Sequence, residues 1–282
     1  MTTEIDVDAF VAFEVNGFDR VAGGYARCFG PLTARIADPL LDAAGVRDGS
    51  RVLDAATGPG QVAARAADRG ASAVGLDISS AMVDLARQRH PDVEFRQGDA
   101  HRLPLPDASF GAVVGNFLLP HLADHPRAVA EMARVLVDGG GLALSTWDLP
   151  RRSPMPGVLF LAVEQAGAPV AEGIPSGPPF FRYSDEAQLS ALLSGAGLVD
   201  VEVTEVTSIW RSPSADALWD ALLESTVRAS AQIRGQTAAV QQRIHRAFDE
   251  IVAGYRVLDG DEIDLPVAVK IGAARKPALS RG

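Results

Sequence analysis

Between residues 51 and 146, short apolar runs alternate with segments of helical periodicity, and this alternation restricts the fold more than any other feature of the chain. The apolar runs occupy 51–55, 73–77, 93–97, 110–116 and 141–146. Runs of this kind, joined by helices, are typical of a mostly parallel sheet that is covered on both faces. The pattern predicts an α/β fold, to which later runs at 198–207 and 264–274 add two more strands.

The segments outside this alternation predict how the chain is divided. Residues 1–49 read as amphipathic helix and predict an N-terminal helical cap. The predicted core is assembled from 50–149, 184–212 and 262–275. We expect two insertions to form a substrate cap: 150–183, which is rich in Pro, Gly and Arg, and 213–261, which reads mostly as helix before the last strand.

Composition narrows the range of partners. The 282-residue chain has a formal net charge of −10 and no long run of basic residues, which argues against a nucleic-acid-binding surface. Its single cysteine, Cys28, excludes an intrachain disulfide and a cysteine-based zinc site, and we predict no metal. The acidic N-terminus and the lack of an apolar run of about 18 residues predict a cytoplasmic protein with no membrane partner. The sequence does not distinguish a monomer from a homodimer.

The segment from Val52 to Gly60 leads from a strand through a glycine turn into a helix. Gly58 and Gly60 permit a positive φ and let a ligand approach the backbone, and the following helix offers free N–H groups to a carboxylate or a phosphate. The spacing Gly58-x-Gly60-x-x-Ala63 also matches the dinucleotide-binding fingerprint. A structural turn within an α/β domain is the alternative interpretation.

Acidic residues help to choose between these ligands. Asp77 ends the second strand, about 20 residues after the turn, where a carboxylate accepts hydrogen bonds from ribose hydroxyls. The alternative role for Asp77 is to cap the following helix. Asp54 precedes Gly58 by four residues, where it would repel a pyrophosphate but attract the ammonium and sulfonium groups of S-adenosylmethionine. An NAD-dependent oxidoreductase is therefore disfavoured. Asp99, in Gly98-Asp99-Ala100, suits the exocyclic amine of adenine.

A resemblance to the class I methyltransferases, which use S-adenosylmethionine, is carried by five segments in order: Asp54–Gly60, Asp77, Gly98–Ala100, Leu103–Phe110 and Arg127–Gly141. Within that family the chain is most similar to the branch that acts on quinone precursors and small natural products. The resemblance implies a Rossmann-like, doubly wound, seven-stranded sheet whose last strand is antiparallel to the others. It also implies a cofactor site formed by Tyr25, Asp54, Ala55, Gly58, Gly60, Asp77, Ile78, Met82, Asp99, Ala100, Asn116 and Phe117.

By this resemblance, each part of the cofactor has its own contacts. The glycine turn with Asp54 would hold the methionine part, and Asp77 would hold the ribose. Ile78 and Met82 would pack on the adenine ring, whose amine would meet Asp99 and Ala100.

The turn departs from the usual family pattern at two positions. Ala56 stands where glycine is usual, and Thr57 stands where cysteine is frequent. Both changes are small in volume, so we expect cofactor binding to persist.

The residues after the fourth strand are expected to meet the reacting groups. Asn116 and Phe117 would lie beside the sulfonium, and Tyr25 would help to close a lid over the cofactor. His121 is the best candidate for a general base, because an imidazole titrates near working pH. Pro120 replaces one histidine of the pair that is frequent in the family. A structural loop histidine is the alternative for His121.

These features predict an S-adenosylmethionine-dependent methyltransferase that acts on a small aromatic or hydrophobic metabolite, such as a natural product or a quinone-like compound. The alternative is a related enzyme that binds the same cofactor but catalyses a non-methylating reaction such as cyclisation or decarboxylation, because a fold does not fix its chemistry. The complete set of cofactor motifs disfavours a non-catalytic binding protein.

Overall fold

A computed structural model describes residues 5–258 and 260–278 and contains one seven-stranded sheet. Its strands are β1 Arg51–Ala55, β2 Ser72–Asp77, β3 Glu94–Gln97, β4 Phe110–Asn116, β5 Leu136–Trp147, β6 Val199–Ser212 and β7 Ile263–Arg275. The strand order is β3-β2-β1-β4-β5-β7-β6. Strands β1 to β5 pair in parallel, whereas β7 is antiparallel to both β5 and β6. The predicted seven-stranded α/β fold with an antiparallel last strand is confirmed.

Ten α-helices accompany the sheet in the described ranges. They are α1 Val7–Thr33, α2 Ala37–Ala43, α3 Gln61–Asp68, α4 Ser80–Arg89, α5 His125–Val135, α6 Pro154–Gln165, α7 Glu186–Gly195, α8 Ala215–Ser225, α9 Arg228–Arg234 and α10 Ala238–Ala253. Three 3₁₀ turns occur at Ala34–Ile36, Leu119–His121 and Arg182–Ser184. The predicted N-terminal cap therefore consists mainly of α1 and α2, and the predicted insertion before the last strand contains α8 to α10.

Side-chain caps mark where several helices begin. Ser79 accepts a hydrogen bond from the backbone N–H of Met82 at the start of α4, and Asp124 accepts one from Arg127 at the start of α5. Asp185 caps α7 in the same way. These three starts agree with the sequence, because a short polar side chain ahead of an apolar periodic segment satisfies a free N–H group of the first turn.

Strands β5 and β6 each extend by five residues past one predicted end. Strand β5 begins at Leu136, which already pairs with Phe110 ahead of a bulge, so α5 leads directly into extended backbone. Strand β6 continues to Ser212 because it pairs with β7 along the edge of the sheet. Most side chains of β6 are exposed or half-buried, so an apolar pattern in the sequence could not predict where this strand ends.

Apolar side chains cover both faces of the sheet. One buried cluster joins the sheet to α1, α2, α6, α8 and α10, and a second joins the other face to α5 and α7. Because β1 to β5 run parallel, their carboxyl ends lie at one edge of the sheet. Helix α1 packs near this edge against α4 and α8. The order reverses between β1 and β4, and ligands of open α/β sheets usually bind in a crevice at such a point. Among the described residues, no helix has both the length and the apolarity needed to cross a membrane.

The turn between β1 and α3 uses left-handed backbone at three residues. Gly58 and Gly60 have φ of 52° and 87°, and Ala56 has φ of 56° although it carries a side chain. A Cβ on Gly60 would lie 2.7 Å from Cζ of Phe95, so glycine is also required there for packing. Left-handed backbone costs a non-glycine residue about 1–2 kcal/mol, so Ala56 holds strain in this turn.

We expect Ala56→Gly to raise the free energy of unfolding by up to about 1 kcal/mol, because relief of the left-handed strain exceeds the added freedom of the unfolded chain. Gly60→Ala should lower it by about 1–3 kcal/mol, since the new methyl group meets Phe95. Urea denaturation measures both changes. An Ala56→Gly protein less stable than the wild type would contradict the assignment of strain.

Candidate functional site

A cavity of about 770 Å³ opens at the carboxyl ends of β1, β2 and β4 and is roofed by α1. Ten of the thirteen predicted site residues line it: Tyr25, Gly58, Asp77, Ile78, Met82, Asp99, Ala100, Asn116, Phe117 and His121. The other three predicted residues, Asp54, Ala55 and Gly60, are buried next to the cavity but do not form its wall.

Asp77 joins the end of β2 to the glycine turn. Its Oδ2 accepts the backbone N–H of Gly58 at 2.8 Å, and its Oδ1 accepts that of Ser79 at 2.9 Å. Burial raises the pKa of this carboxyl group, although both hydrogen bonds act in the opposite direction. Ser79, rather than Asp77, provides the side-chain cap of α4. Asp77 therefore supports the loop around it and also presents a carboxylate to the cavity.

Asp54 lies beneath the turn. Its Oδ2 accepts hydrogen bonds from Oγ1 of Thr57 at 2.6 Å and from the backbone N–H of Ala63 at 3.0 Å. Its Oδ1 is buried and has no hydrogen-bond partner within the described part of the chain. Burial raises the pKa of Asp54 to about 7. Asp54 thus fixes the turn from below, and its predicted contact with a ligand stays a prediction.

Asp99 and His101 form a pair at the end of the cavity next to β3. Oδ1 of Asp99 accepts the backbone N–H of His101 at 2.8 Å and lies 2.7 Å from its Nδ1. Although burial raises the pKa of Asp99, the hydrogen bonds from His101 hold it below its usual value. Nε2 of His101 accepts the backbone N–H of Asp124 at 3.2 Å. This histidine is therefore tied to the loop, and the second oxygen of Asp99 remains available to a ligand.

The end of β4 is held in an uncommon conformation. Phe117 has φ of 58°, and its backbone N–H donates to Oγ of Ser145 at 2.9 Å. Its ring stacks on Trp147 at 3.9 Å between centroids. Ser145 donates to Oδ1 of Asn116, whose amide donates to the carbonyl of Thr33 in α1. Left-handed backbone at an aromatic residue persists only where its surroundings fix it, and such strain is concentrated at functional sites.

A second cavity of about 530 Å³ adjoins the first. Its wall shares Phe18, Tyr25, Phe117 and His121 with the first cavity. The rest of its wall includes four more aromatic residues, Phe29, Trp147, Phe160 and Phe180. Most of these side chains come from the predicted N-terminal cap and the 150–183 insertion. The two cavities therefore meet at the end of β4, and the second is suited to a flat apolar molecule.

His121 stands between the two cavities. It ends the 3₁₀ turn after β4, and its Nδ1 lies 2.8 Å from Oε2 of Glu14 in α1. The other carboxylate oxygen of Glu14 lies 3.3 Å from Nε of Arg228 in α9. Arg228 also donates from Nη2 to the carbonyl of Pro120 at 2.8 Å. The structure therefore brings together a histidine, a carboxylate and a guanidinium that are far apart in the chain.

Sequence reasoning identified His121 but missed Glu14 and Arg228. A signal for Glu14 existed, because Phe10, Glu14 and Gly17 fall at helical spacing and all three are buried in α1. A charged residue within the apolar face of a helix needs a partner or a function. No comparable signal distinguishes Arg228 from the other arginines of the chain.

One group within the described ranges could converge on a metal ion. Asp216, His245 and Asp249, on α8 and α10, each offer a ligand atom, and these atoms lie within 4.8 Å of one another. Both acidic residues are exposed, and the imidazole stacks on Trp219. None of the three lines either cavity. The prediction of no metal in the site stays a prediction.

Comparison with known proteins connects this geometry to a family. Residues 53–144 match a family model described as "Methyltransferase domain". The demethylmenaquinone methyltransferase of Beutenbergia cavernae is 37% identical over 147 residues, which are 52% of this chain and 61% of that protein. The demethylmenaquinone methyltransferase of Mycobacterium sp. (strain KMS) is 33% identical over 173 residues, covering 58% of this chain and 74% of that protein.

Solved structures agree with the fold. The YcgJ protein of Bacillus subtilis superposes with a TM-score of 0.57 at 19% identity, covering 86% of this chain and 98% of that one. At this identity the likeness concerns the fold alone. The chain spans less than two thirds of the length of the B. cavernae relative, 61%, and the match to the family model ends at residue 144, before the C-terminal helices that line the second cavity.

The buried carboxyl group of Asp54 predicts a pH dependence of stability. Because its pKa is about 7 in the folded protein against an ordinary value of 3.8, the folded state retains a proton that the unfolded chain has lost between these values. The contribution of Asp54 is therefore present below pH 3.8 and is lost as the pH rises through about 7.

We expect the free energy of unfolding of the wild type to fall, relative to Asp54→Asn, by a few kcal/mol between pH 4 and pH 7. Urea denaturation at a series of pH values measures this difference. Asp84→Asn is the matched control, because Asp84 is exposed on α4 and its curve should run parallel to that of the wild type. Parallel curves for Asp54→Asn and the wild type would contradict the raised pKa.

Proposed function

The chain belongs to the class I S-adenosylmethionine-dependent methyltransferase family, and on this premise we propose that it transfers a methyl group from S-adenosylmethionine to a small aromatic or hydrophobic metabolite. The observation that carries the proposal is the meeting of two cavities at the end of β4. One is lined by the residues predicted for the cofactor, and the other is lined by aromatic rings.

The charges of the first cavity suit S-adenosylmethionine better than a dinucleotide. Its wall carries the carboxylates of Glu14, Asp77 and Asp99, and among the described residues it carries no lysine or arginine. A pyrophosphate would be repelled there, whereas an ammonium or sulfonium group would be attracted. The orphaned Oδ1 of Asp54 adds a further acceptor close to the turn.

The shape of the first cavity also fits this cofactor. The position that a Cβ of Gly58 would take has no atom within 4 Å, so a ligand can come close to the backbone of the turn. In our proposal Asp77 accepts hydrogen bonds from the ribose hydroxyls. Ile78 and Met82 pack on the adenine ring, and Asp99 accepts a hydrogen bond from the adenine amine. Asp54, Ala55 and Gly60 hold the turn in shape, and Oδ1 of Asp54 accepts from the methionine part of the cofactor.

The chemistry divides between the cofactor and the protein. When bound, S-adenosylmethionine supplies a methyl group on a sulfonium, which is already an activated leaving group. The residues of this chain are then required to align the acceptor, to exclude water and to remove the proton of the acceptor. Asn116 and Phe117, fixed by Ser145 and Trp147, would align the reacting groups, and His121 would orient or deprotonate the acceptor.

The cap segments are proposed to choose the acceptor. Residues 1–49, 150–183 and 213–261 supply most of the wall of the second cavity, whereas the core segments, together with α1, supply the first. The aromatic wall supports a natural-product or quinone-like acceptor, and the curated names of the relatives support the quinone-like branch. The net charge of −10 supports a free small molecule rather than a nucleic acid. We further propose a cytoplasmic setting, since the co-substrate is an intracellular metabolite.

Calorimetric titration with S-adenosylhomocysteine tests the cofactor site. We expect Asp77→Asn to weaken binding at least tenfold, because each lost hydrogen bond to a carboxylate contributes about 1.5–3 kcal/mol. Asp84→Asn makes the same change at an exposed carboxylate, and this variant should bind S-adenosylhomocysteine as the wild type does. Thermal unfolding of each variant controls for folding. Unchanged affinity in Asp77→Asn would contradict the proposed ribose contact.

Isotope transfer separates methylation from the non-methylating alternative. The protein is incubated with 1,4-naphthalenediol and S-adenosylmethionine that carries a deuterated methyl group, and the products are analysed by mass spectrometry. We expect a product that has gained one labelled methyl group. A product that forms only with the cofactor but contains no label would favour the alternative reaction on the same fold.

A further inference from the structure

The contacts of His121 leave one of its ring nitrogens open. Nδ1 lies 2.8 Å from Oε2 of Glu14, and because a carboxylate only accepts, Nδ1 is the donor and Nε2 is the ring nitrogen left for another partner. Within the described part of the chain, Nε2 has no hydrogen-bond partner, and the ring lines both cavities. Phe18 packs edge-on against the ring at 4.8 Å, and Phe180 does so at 6.1 Å. The imidazole is therefore held by contacts on several sides with a basic nitrogen available to an acceptor.

Glu14 is buried beside a guanidinium, although its Oε1 and Nε of Arg228 have no hydrogen-bond partner among the described residues. Only 5% of its side chain is exposed, and the guanidinium of Arg228 beside it compensates the charge of the buried carboxylate. Arg228 lies over the rings of Phe10 and Phe180, at 5.0 and 5.8 Å from their centroids, and donates to the carbonyl of Pro120. Three distant parts of the chain thus converge on one carboxylate.

A purely structural ion pair is a weak explanation for this arrangement. Burying two charges costs about as much as their attraction returns, and apolar residues of similar volume often stabilise a protein equally well. Glu14 also lies on the wall of the first cavity, and Arg228 lies on that of the second. The charged groups are therefore situated where a ligand would meet them.

We infer that Glu14 is a positioning residue that holds His121 with Nε2 towards the second cavity, and that the acceptor is an aromatic compound bearing an ionisable hydroxyl group. This inference rests on the proposed methyl transfer. An acceptor with no proton to lose, such as a thioether or a tertiary amine, would leave the Glu14–His121 pair without a task. The aromatic walls supply the fit to a flat ring.

The step assigned to the pair is a proton transfer. The O–H bond of the acceptor breaks, the proton forms a bond with Nε2 of His121, and the electron pair stays on the acceptor oxygen. Glu14 stabilises the resulting imidazolium through Nδ1, and Arg228 limits the net charge around it. Asp77 and the phenol of Tyr25 also face the cavity from β2 and α1. Removing the carboxylate of Glu14 should therefore weaken the base.

The test uses 4-nitrophenol, whose yellow phenolate titrates near neutral pH. The probe is added to protein saturated with S-adenosylhomocysteine, and the phenolate fraction of the bound probe is read by absorbance across a pH series. The wild type should raise this fraction several-fold over free probe below neutral pH. Glu14→Gln should shift the ionisation of the bound probe to higher pH, and His121→Asn should abolish the increase. 4-Nitroanisole, which has no proton to lose, should bind with an unchanged spectrum.

Glu224→Gln is the matched control, because Glu224 pairs with Arg27 across the contact of α1 with α8 but lies on the protein surface. It should behave as the wild type does. Calorimetry with S-adenosylhomocysteine distinguishes a failure of the proposed function from a failure of the inferred acceptor class. If the wild type does not bind it, the proposed function fails. If it binds but the protein neither binds nor ionises the phenol, the acceptor class is wrong.

One result would contradict the positioning role of Glu14. If Glu14→Gln folds, binds the probe and gives the same phenolate fraction as the wild type at every pH, Glu14 does not position the base. Should Glu14→Gln fail to fold, His121→Asn decides the matter, because this half-buried turn residue can be changed while Glu14 keeps Arg228. An unchanged phenolate fraction in His121→Asn would overturn the inference.

Discussion

Two buried carboxylates at the ends of neighbouring parallel strands fix the turn on which the whole site depends. Asp54 ties Thr57 to the first turn of α3, and Asp77 ties the backbone of Gly58 to the start of α4. Each carboxylate accepts two hydrogen bonds, which offsets much of the cost of its burial. The turn is consequently rigid without using bulky side chains, and the space above it stays open. The first cavity is open because Asp54 supports the turn from beneath and Asp77 supports it from the neighbouring strand.

The fold could be predicted because its signals are local. Apolar runs such as 51–55 and 110–116 are short, bounded and joined by helical segments, and this pattern permits few arrangements other than a parallel sheet. Most of the residues that the resemblance assigns to a cofactor site line the first cavity, because they follow the carboxyl ends of strands. The start of β5 was misplaced, because Leu136 reads as the last apolar residue of α5 although its backbone already pairs with Phe110.

The acceptor side could not be predicted to the same extent, because it is formed by contacts between distant segments. Glu14 and His121 are separated by 107 positions, and Pro120 and Arg228 by 108. Glu14 has a local signal on the buried face of α1, but no local pattern gives its partners, and only the packing of α1 and α9 near the end of β4 brings these residues together. The predicted ligand contact of Asp54 stays a prediction, because the structure buries this residue beneath the turn and leaves its Oδ1 without a partner among the described residues.

The single helix α1 supplies wall residues to both cavities. Val11 and Glu14 face the first, and Phe18 and Tyr25 are common to both. Any displacement of α1 that widens the passage to one cavity therefore also changes the wall of the other. If the two cavities bind the proposed cofactor and acceptor, exchange of these ligands would be mechanically coupled through this one helix. Substitutions at Phe18 or Tyr25 would then change both sites at once, whereas those at Val11 or Glu14 would change the wall of the first alone.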